Sequence, residues 1–247
     1  MLVQQRTDAF HLIPQNEHAL VSGEMARMWR GVANQPDVPA LPAVLAIALH
    51  DSAWIETDEV PPFDPARGLP HDFQSLPEDR KVALYGHGID TLESIQPYAA
   101  LLVSLHYDAF VHESEHPGFH QREVRRQQRL KAQLAPHIGD HQITRDIALL
   151  RLLDRLSLRL CLTPPNTVRD RWPSWVVAPA KWDEVELRTR WKDGDTLMFS
   201  PFPFAVPLQL TIPYARVPAR KFSSEKDWKR ASEDAPRHAW HVSVVPE

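Results

Sequence analysis

The spacing of apolar residues along the chain changes between helical and strand-like periods. Apolar positions recur every three or four residues over about 17–32, 40–54, 97–110, 119–134 and 142–162, which predicts five helices. The second segment is apolar on all sides until His50, a pattern typical of the most buried helix. Residues 55–96 are rich in proline and show no sustained period, so we expect a long ordered loop with one or two short helices.

Both ends of the sequence have strand-like patterns. Residues 1–6 and 9–13 flank a turn at Thr7-Asp8, which predicts a hairpin. Short β-branched or aromatic runs follow Pro164-Pro165, and the prolines among them favour edge or bulged strands. The sequence therefore predicts one α+β domain over 1–247, with a mainly helical bundle at 15–163 and a small antiparallel sheet that recruits the N-terminal hairpin 1–14. The predicted C-terminal strands, all within 185–247, are 185–191, 196–199, 206–212 and 240–245.

Composition excludes several classes of function. The net charge of −4 over 247 residues offers no overall field for nucleic acid or an anionic membrane, so we expect neither partner. The chain has only 8 glycines and no GxxxxGK[ST] or GxGxxG motif, which argues against nucleotide-binding folds of the P-loop and dinucleotide type. A single cysteine and the lack of an apolar run of roughly 20 residues favour a cytoplasmic protein.

A few polar residues occur where a solvated surface does not explain them. His50 and Asp51 end the apolar helix, and His106 shares a helical face with apolar neighbours. Asp154 lies on the core side of the most leucine-rich helix, where an unpaired carboxylate would cost several kcal/mol. His18 stands in the first turn of the first helix. Imidazoles and carboxylates on separate helices suit a divalent transition metal (Mn, Fe, Ni, Co or Zn), with Mg less favoured.

The order of these residues resembles that of a known superfamily. A His on an early helix, a His-Asp pair and a distant Asp resemble the HD superfamily of metal-dependent phosphohydrolases, an all-helical fold. Five short phrases more closely resemble the bacterial family called domain of unknown function 3891: EHALVSG (17–23), HDSAW (50–54), ALLVSLH (100–106), LDRLSL (153–158) and PFPF (201–204).

The resemblance spans nearly the whole chain and implies an HD-like bundle. It also implies that His18, His50, Asp51 and Asp154 match the metal-ligand positions, with His106 as an additional imidazole nearby. The helical His pairs of dinuclear HD enzymes are not recognisable between Asp51 and Asp154, which favours a mononuclear site.

Two functional hypotheses follow from the sequence. The first is a metal-dependent hydrolase of a small phosphorylated molecule, in which His106 or Arg27 handles protons or phosphate charge. The second is a non-catalytic or degenerate HD-like protein that binds a small molecule. In it, Asp154 pairs with Arg27, Arg151 or Arg155, and the His/Asp cluster is a structural network. The sequence leaves open whether the chain forms a homo-oligomer.

Overall fold

The structure is a computed structural model that describes residues 1–32, 37–163 and 174–247. Its helices are α1 (Gln15–Met28), α2 (Leu41–Leu49), a 3-10 turn (Ser52–Trp54), α3 (Ile55–Glu59), α4 (Glu78–Ile95), α5 (Pro97–Asp108), α6 (Pro117–Leu134), α7 (Asp140–Leu162), α8 (Ser174–Val177) and α9 (Glu225–Glu233). Its strands are β1 (Leu2–Gln5), β2 (Ala9–Ile13), β3 (Phe63–Asp64), β4 (Leu69–Pro70), β5 (Ala180–Trp182), β6 (Val185–Trp191), β7 (Thr196–Ser200), β8 (Leu208–Pro218) and β9 (Arg237–Pro246).

Seven strands form one curled, mixed sheet in the order β1-β2-β8-β9-β7-β6-β5. The N-terminal hairpin joins the C-terminal strands because β2 pairs with β8. Strands β7 and β9 run parallel, with Leu197 opposite Val244, whereas the other neighbouring pairs are antiparallel. The prediction of a mainly helical, HD-like bundle with a small antiparallel sheet is therefore wrong. Helices contain 49% of the residues and strands contain 22%. Local alternation could not show the parallel pair, because its two strands are far apart in sequence.

The five predicted helical segments correspond to α1, α2, α5, α6 and α7. Helix α1 ends at Met28 rather than near residue 32, because Trp29 adopts extended backbone (φ −61°, ψ 137°) and bridges to Phe204. The prediction of a long loop over 55–96 is wrong, since α4 occupies residues 78–95. Gly86 and Gly88 interrupt the apolar period of α4, and a Cβ atom on Gly88 would lie 2.5 Å from Ala53 Cβ.

The sheet carries helices on both faces. On one face, a hydrophobic cluster joins Met25 of α1 and Leu102 of α5 to Leu210 of β8 and Val242 of β9. On the opposite face, Trp228 of α9 packs in a second cluster that includes residues of β2 and β8. Within the described part of the chain, none of the helices combines the length and apolar character required to cross a bilayer.

Candidate metal centre

Four helices bring five predicted site residues together. His18 lies on α1, His50 and Asp51 directly follow α2, His106 lies on α5, and Asp154 lies on α7. All five side chains are buried. They line the same cavity, so residues separated by up to 136 positions (154 − 18) in the sequence converge on one site.

The close approach of α1 and α2 sets the separation of His18 from His50. A Cβ atom on Gly23 would lie 2.5 Å from Ala48 Cβ and 2.9 Å from Ala48 Cα. Because carbon atoms normally pack at about 3.5–4.0 Å, only glycine permits this crossing without movement of a helix. Gly23 follows His18 by just over one turn of α1, and Ala48 lies two residues before His50.

His18 connects Asp51 to α7 through both ring nitrogens. Its Nε2 lies 2.8 Å from Asp51 Oδ2, and its Nδ1 lies 2.9 Å from Ser157 Oγ. The Ser157 hydroxyl donates to the Asp154 carbonyl oxygen at 2.8 Å. The Tyr107 hydroxyl lies 2.7 Å from the other Asp51 oxygen, Oδ1, and 2.5 Å from the His50 carbonyl oxygen, so it shares its one proton between these two acceptors. This half of the site is a hydrogen-bonded network formed by the chain alone.

His50 has one ring nitrogen without a hydrogen-bond partner. Its Nδ1 lies 2.7 Å from the Ile47 carbonyl oxygen, which can only accept, so Nδ1 carries a proton. Its Nε2 is buried and forms no hydrogen bond, although Asp154 Oδ1 lies 3.4 Å away. His106 approaches the other oxygen of the same carboxylate, with 3.6 Å between its Nε2 and Asp154 Oδ2. The Nδ1 atom of His106 is also buried and without a partner.

Burial disfavours the charged forms of the imidazoles and carboxylates in the site. Contacts between the positive imidazoles and the negative carboxylates oppose this effect of burial. Burial would lower the pKa of His50, but Asp51 and Asp154 outweigh it and raise this pKa to about 9. Burial would raise the pKa of Asp51, yet His50 and the hydrogen bond with His18 hold it well below its usual range. The pKa of Asp154 is lowered against the effect of burial, chiefly by His50. Burial lowers the pKa of His106 to about 4, so this imidazole is neutral at pH 7.

A cavity of about 1110 Å³ opens over these residues and presents one face of α7. Arg151 shares that face with Asp154 and Arg155, which follow it by three and four residues, and all three line the cavity. The Arg151 Nη2 atom donates to the Leu105 carbonyl at 2.8 Å, and the Arg155 Nη2 atom donates to the Pro179 carbonyl at 3.1 Å. Burial lowers the pKa of both guanidinium groups.

Arg27 does not share this location. It is exposed in the last turn of α1 and is not part of the cavity wall. The second hypothesis pairs Asp154 with Arg27, Arg151 or Arg155; among the described residues, the ion-pair partners of Asp154 are instead the imidazoles of His18, His50 and His106.

Sequence reasoning missed other residues of the cavity. Tyr107, Lys81 and Lys181 line it and were not singled out. The sequence named Arg151 and Arg155 as partners of Asp154 and did not place them in a binding site. Their spacing around Asp154 was the signal that could have placed them there. Tyr107 gave no such signal, because its contact with Asp51 depends on the packing of α5 against α2.

The donor atoms form two overlapping groups that share His50. In the first group, one ligand atom from each of His18, His50 and Asp51 lies within 4.8 Å of the other two. In the second group, the same holds for His50, His106 and Asp154. Imidazole nitrogens with carboxylate oxygens suit divalent first-row metals. Fold and site thus define an α+β protein with a buried candidate metal centre at the base of a large cavity.

Comparison with protein families identifies the chain. It belongs to the family described as "Protein of unknown function (DUF3891)", which matches residues 1–219. This result confirms the resemblance to that family, whereas the resemblance to the HD superfamily is not confirmed. Comparison with curated proteins and comparison with solved structures each gave no significant match.

Proposed function

We propose that the chain is a metal-dependent hydrolase that acts on a phosphate ester. The observation that carries the proposal is the contact between His50 and Asp154. A buried imidazole nitrogen without a hydrogen bond lies 3.4 Å from a buried carboxylate oxygen. Buried polar atoms are usually hydrogen-bonded, so this long contact stands out. Without metal, the raised pKa of His50 puts a proton between the two atoms, and a metal cation bound by both atoms would take the place of that proton.

The residues present offer ligand atoms for a divalent transition metal in two groups that share His50. His50 and Asp154 would hold the metal, and His18 and Asp51, whose atoms now contact each other, would turn toward it to complete the set on which the resemblance to HD phosphohydrolases rests. Metal–ligand bonds of about 2.1 Å place neighbouring ligand atoms about 3.0–3.4 Å apart, which is close to the separation of His50 Nε2 from Asp154 Oδ1. The Nδ1–H group of His50 is held by a carbonyl, as is common for imidazoles whose other nitrogen binds metal.

Such a metal, when bound, would lower the pKa of water and neutralise charge on the phosphate oxygens. In the overall reaction a water oxygen bonds to phosphorus, the ester P–O bond breaks, and the released alcohol takes up a proton. The chain itself supplies a proton acceptor in His106, which is neutral at pH 7 and lines the cavity. Asp51 is fixed by Tyr107 and His18 on its two oxygens, so its carboxylate is held in one orientation.

A second candidate function is the binding of a small molecule without catalysis. The observation that favours it is the network around His18, in which both imidazole nitrogens already have partners within the chain. In this case the cavity would bind a ligand, and the His/Asp cluster would act as a structural network.

Metal content separates the two candidates. Protein purified without chelator is expected to contain close to one equivalent of transition metal by elemental analysis, and Asp154→Asn should remove it. Asp146→Asn is the matched control, because Asp146 is a buried carboxylate on the same helix that accepts a hydrogen bond from Tyr98 and lies outside the cavity. With Mn²⁺, Ni²⁺ or Co²⁺ added, hydrolysis of p-nitrophenyl phosphate should require Asp154 and not Asp146. A wild-type protein without metal that also fails to hydrolyse the ester under these conditions would refute the hydrolase.

A further inference from the structure

The cavity wall holds more positive charge than its carboxylates neutralise. Arg151, Arg155, Lys81 and Lys181 line the cavity, whereas its lining carboxylates are Asp51 and Asp154. Both of those carboxylates already contact imidazoles. Within residues 1–32, 37–163 and 174–247, none of the four cations forms an ion pair with a carboxylate. The cavity is therefore suited to an anionic ligand.

Arg151, which is exposed, and Arg155, which is half-buried, are each oriented by one hydrogen bond that leaves the positive charge intact. Each guanidinium donates one N–H group to a backbone carbonyl, of Leu105 and of Pro179 respectively. A carbonyl orients an arginine without neutralising it, and each guanidinium keeps further N–H groups for a ligand. The two side chains leave the same face of α7 as Asp154, one on each side of it along the helix.

We propose that Arg151 and Arg155 form a clamp for the phosphate group of the substrate, and that this substrate is a phosphate monoester rather than a diester. A monoester group has three non-bridging oxygens and a charge of about −1.5 to −2 at pH 7, whereas a diester has two such oxygens and a single charge. Two guanidinium groups without counterions match the former, because each can bind paired oxygens. This inference rests on the proposed function, since it takes the ligand to be a phosphate ester.

The organic part of the monoester has room in the same cavity. Trp54, Phe73, Tyr85 and Phe110 contribute aromatic side chains to the wall, and the volume far exceeds what a phosphate ion requires. Phenylphosphonate is a suitable probe because it carries the doubly charged group and an aromatic ring but has no ester bond to cleave. Its monomethyl ester keeps the ring and carries one charge, so it represents the diester.

The test is calorimetric titration of both probes at pH 8, with the wild-type protein, three variants of the clamp arginines and one control variant. Phenylphosphonate is expected to bind more tightly than its monomethyl ester. Arg151→Gln and Arg155→Gln should each weaken phenylphosphonate binding by about tenfold or more, because each removes hydrogen bonds to a charged group. Arg155→Lys should restore only part of the affinity, since lysine keeps the charge and loses the planar fork. Arg188→Gln, an exposed arginine of β6 outside the cavity wall, should bind like the wild type.

Metal analysis of the same preparations distinguishes failure of the clamp from failure of the hydrolase. The clamp is refuted, whatever the metal content, if Arg151→Gln and Arg155→Gln bind phenylphosphonate as well as the wild type does. It is also refuted if the wild type binds the monomethyl ester as tightly as phenylphosphonate. If the protein contains no metal and does not hydrolyse p-nitrophenyl phosphate with added metal, but the clamp variants still lose affinity, the clamp stands and the metal-dependent hydrolase falls. Circular dichroism spectra that match the wild type would show that the variants are folded.

Discussion

The contact between Gly23 and Ala48 allows a sharp test of how the site is built. In Gly23→Ala, the new methyl group would lie 2.5 Å from Ala48 Cβ, about 1 Å or more inside the normal packing distance. Ala48 Cα, at 2.9 Å, is backbone, so the clash cannot be relieved by a side-chain rotation. Helices α1 and α2 must therefore separate.

The expected cost follows from two opposing effects. Overpacking of this kind costs about 1–3 kcal/mol, and rigid backbone neighbours favour the upper end. Replacing glycine by alanine within a helix returns about 1 kcal/mol. We expect Gly23→Ala to lower the free energy of unfolding by about 2 kcal/mol, and to weaken Mn²⁺ binding because His18 and His50 move apart.

Equilibrium unfolding in urea measures the effect, and Gly118→Ala is the matched control. A Cβ atom at Gly118, in the first turn of α6, would meet no atom within 4 Å. There the same substitution should stabilise the protein by about 0.4–1 kcal/mol. The two substitutions should thus have opposite signs. A Gly23→Ala protein at least as stable as the wild type would show that the helix contact is looser than described.

Three further predictions concern the titration and hydrogen bonds of the site. Without metal, the charged His50 contributes about 3 kcal/mol to stability, at 1.36 kcal/mol for each pH unit between its ordinary 6.5 and about 9. Because folding raises the pKa of His50, this contribution to stability is complete below pH 6.5 and is lost as the pH rises through 9. Urea unfolding in the presence of chelator should show the decline in the free energy of unfolding over this range, and the decline should be absent in His50→Asn. Metal must displace the Nε2 proton of His50, so Mn²⁺ affinity should rise about tenfold per pH unit below pH 9 and level off above it in a fluorescence competition assay. A flat profile would contradict a His50 ligand. Tyr107→Phe removes the donor to Asp51 Oδ1, which should lower the free energy of unfolding by about 1.5–3 kcal/mol. Acid unfolding should also move to higher pH, because the lowered pKa of Asp51 stabilises the fold only while that carboxyl is ionised.

The sequence was sufficient where local patterns control structure. The apolar period located α1, α2, α5, α6 and α7, and the hairpin signal located β1 and β2. The buried character of Asp154 could be read from its leucine-rich helix, because one side of an amphipathic helix faces the core.

Long-range pairing could not be read in the same way. The prolines of the C-terminal runs favour edge or bulged strands, yet Pro213 lies in β8 between β2 and β9, opposite Ala239. Helix α9 was not predicted, because its polar sequence buries little beyond Trp228 and Ser232. Arg27 was expected to handle protons or phosphate charge, but it lies more than two turns from His18 along α1, in the exposed last turn.

The position of β9 in the sheet has a consequence for how the chain assembles. Strands β1, β2 and β8 form one half of the sheet, β5, β6 and β7 form the other, and β9 is the strand that joins them. During synthesis the two halves cannot be joined until residues 237–246 have left the ribosome, although almost all helical residues are already made. Until then β8 and β7 each present an open edge of the kind that invites pairing with another chain. A fragment cut at residue 219, where the family match ends, would keep those edges permanently, so folding studies require the chain through β9.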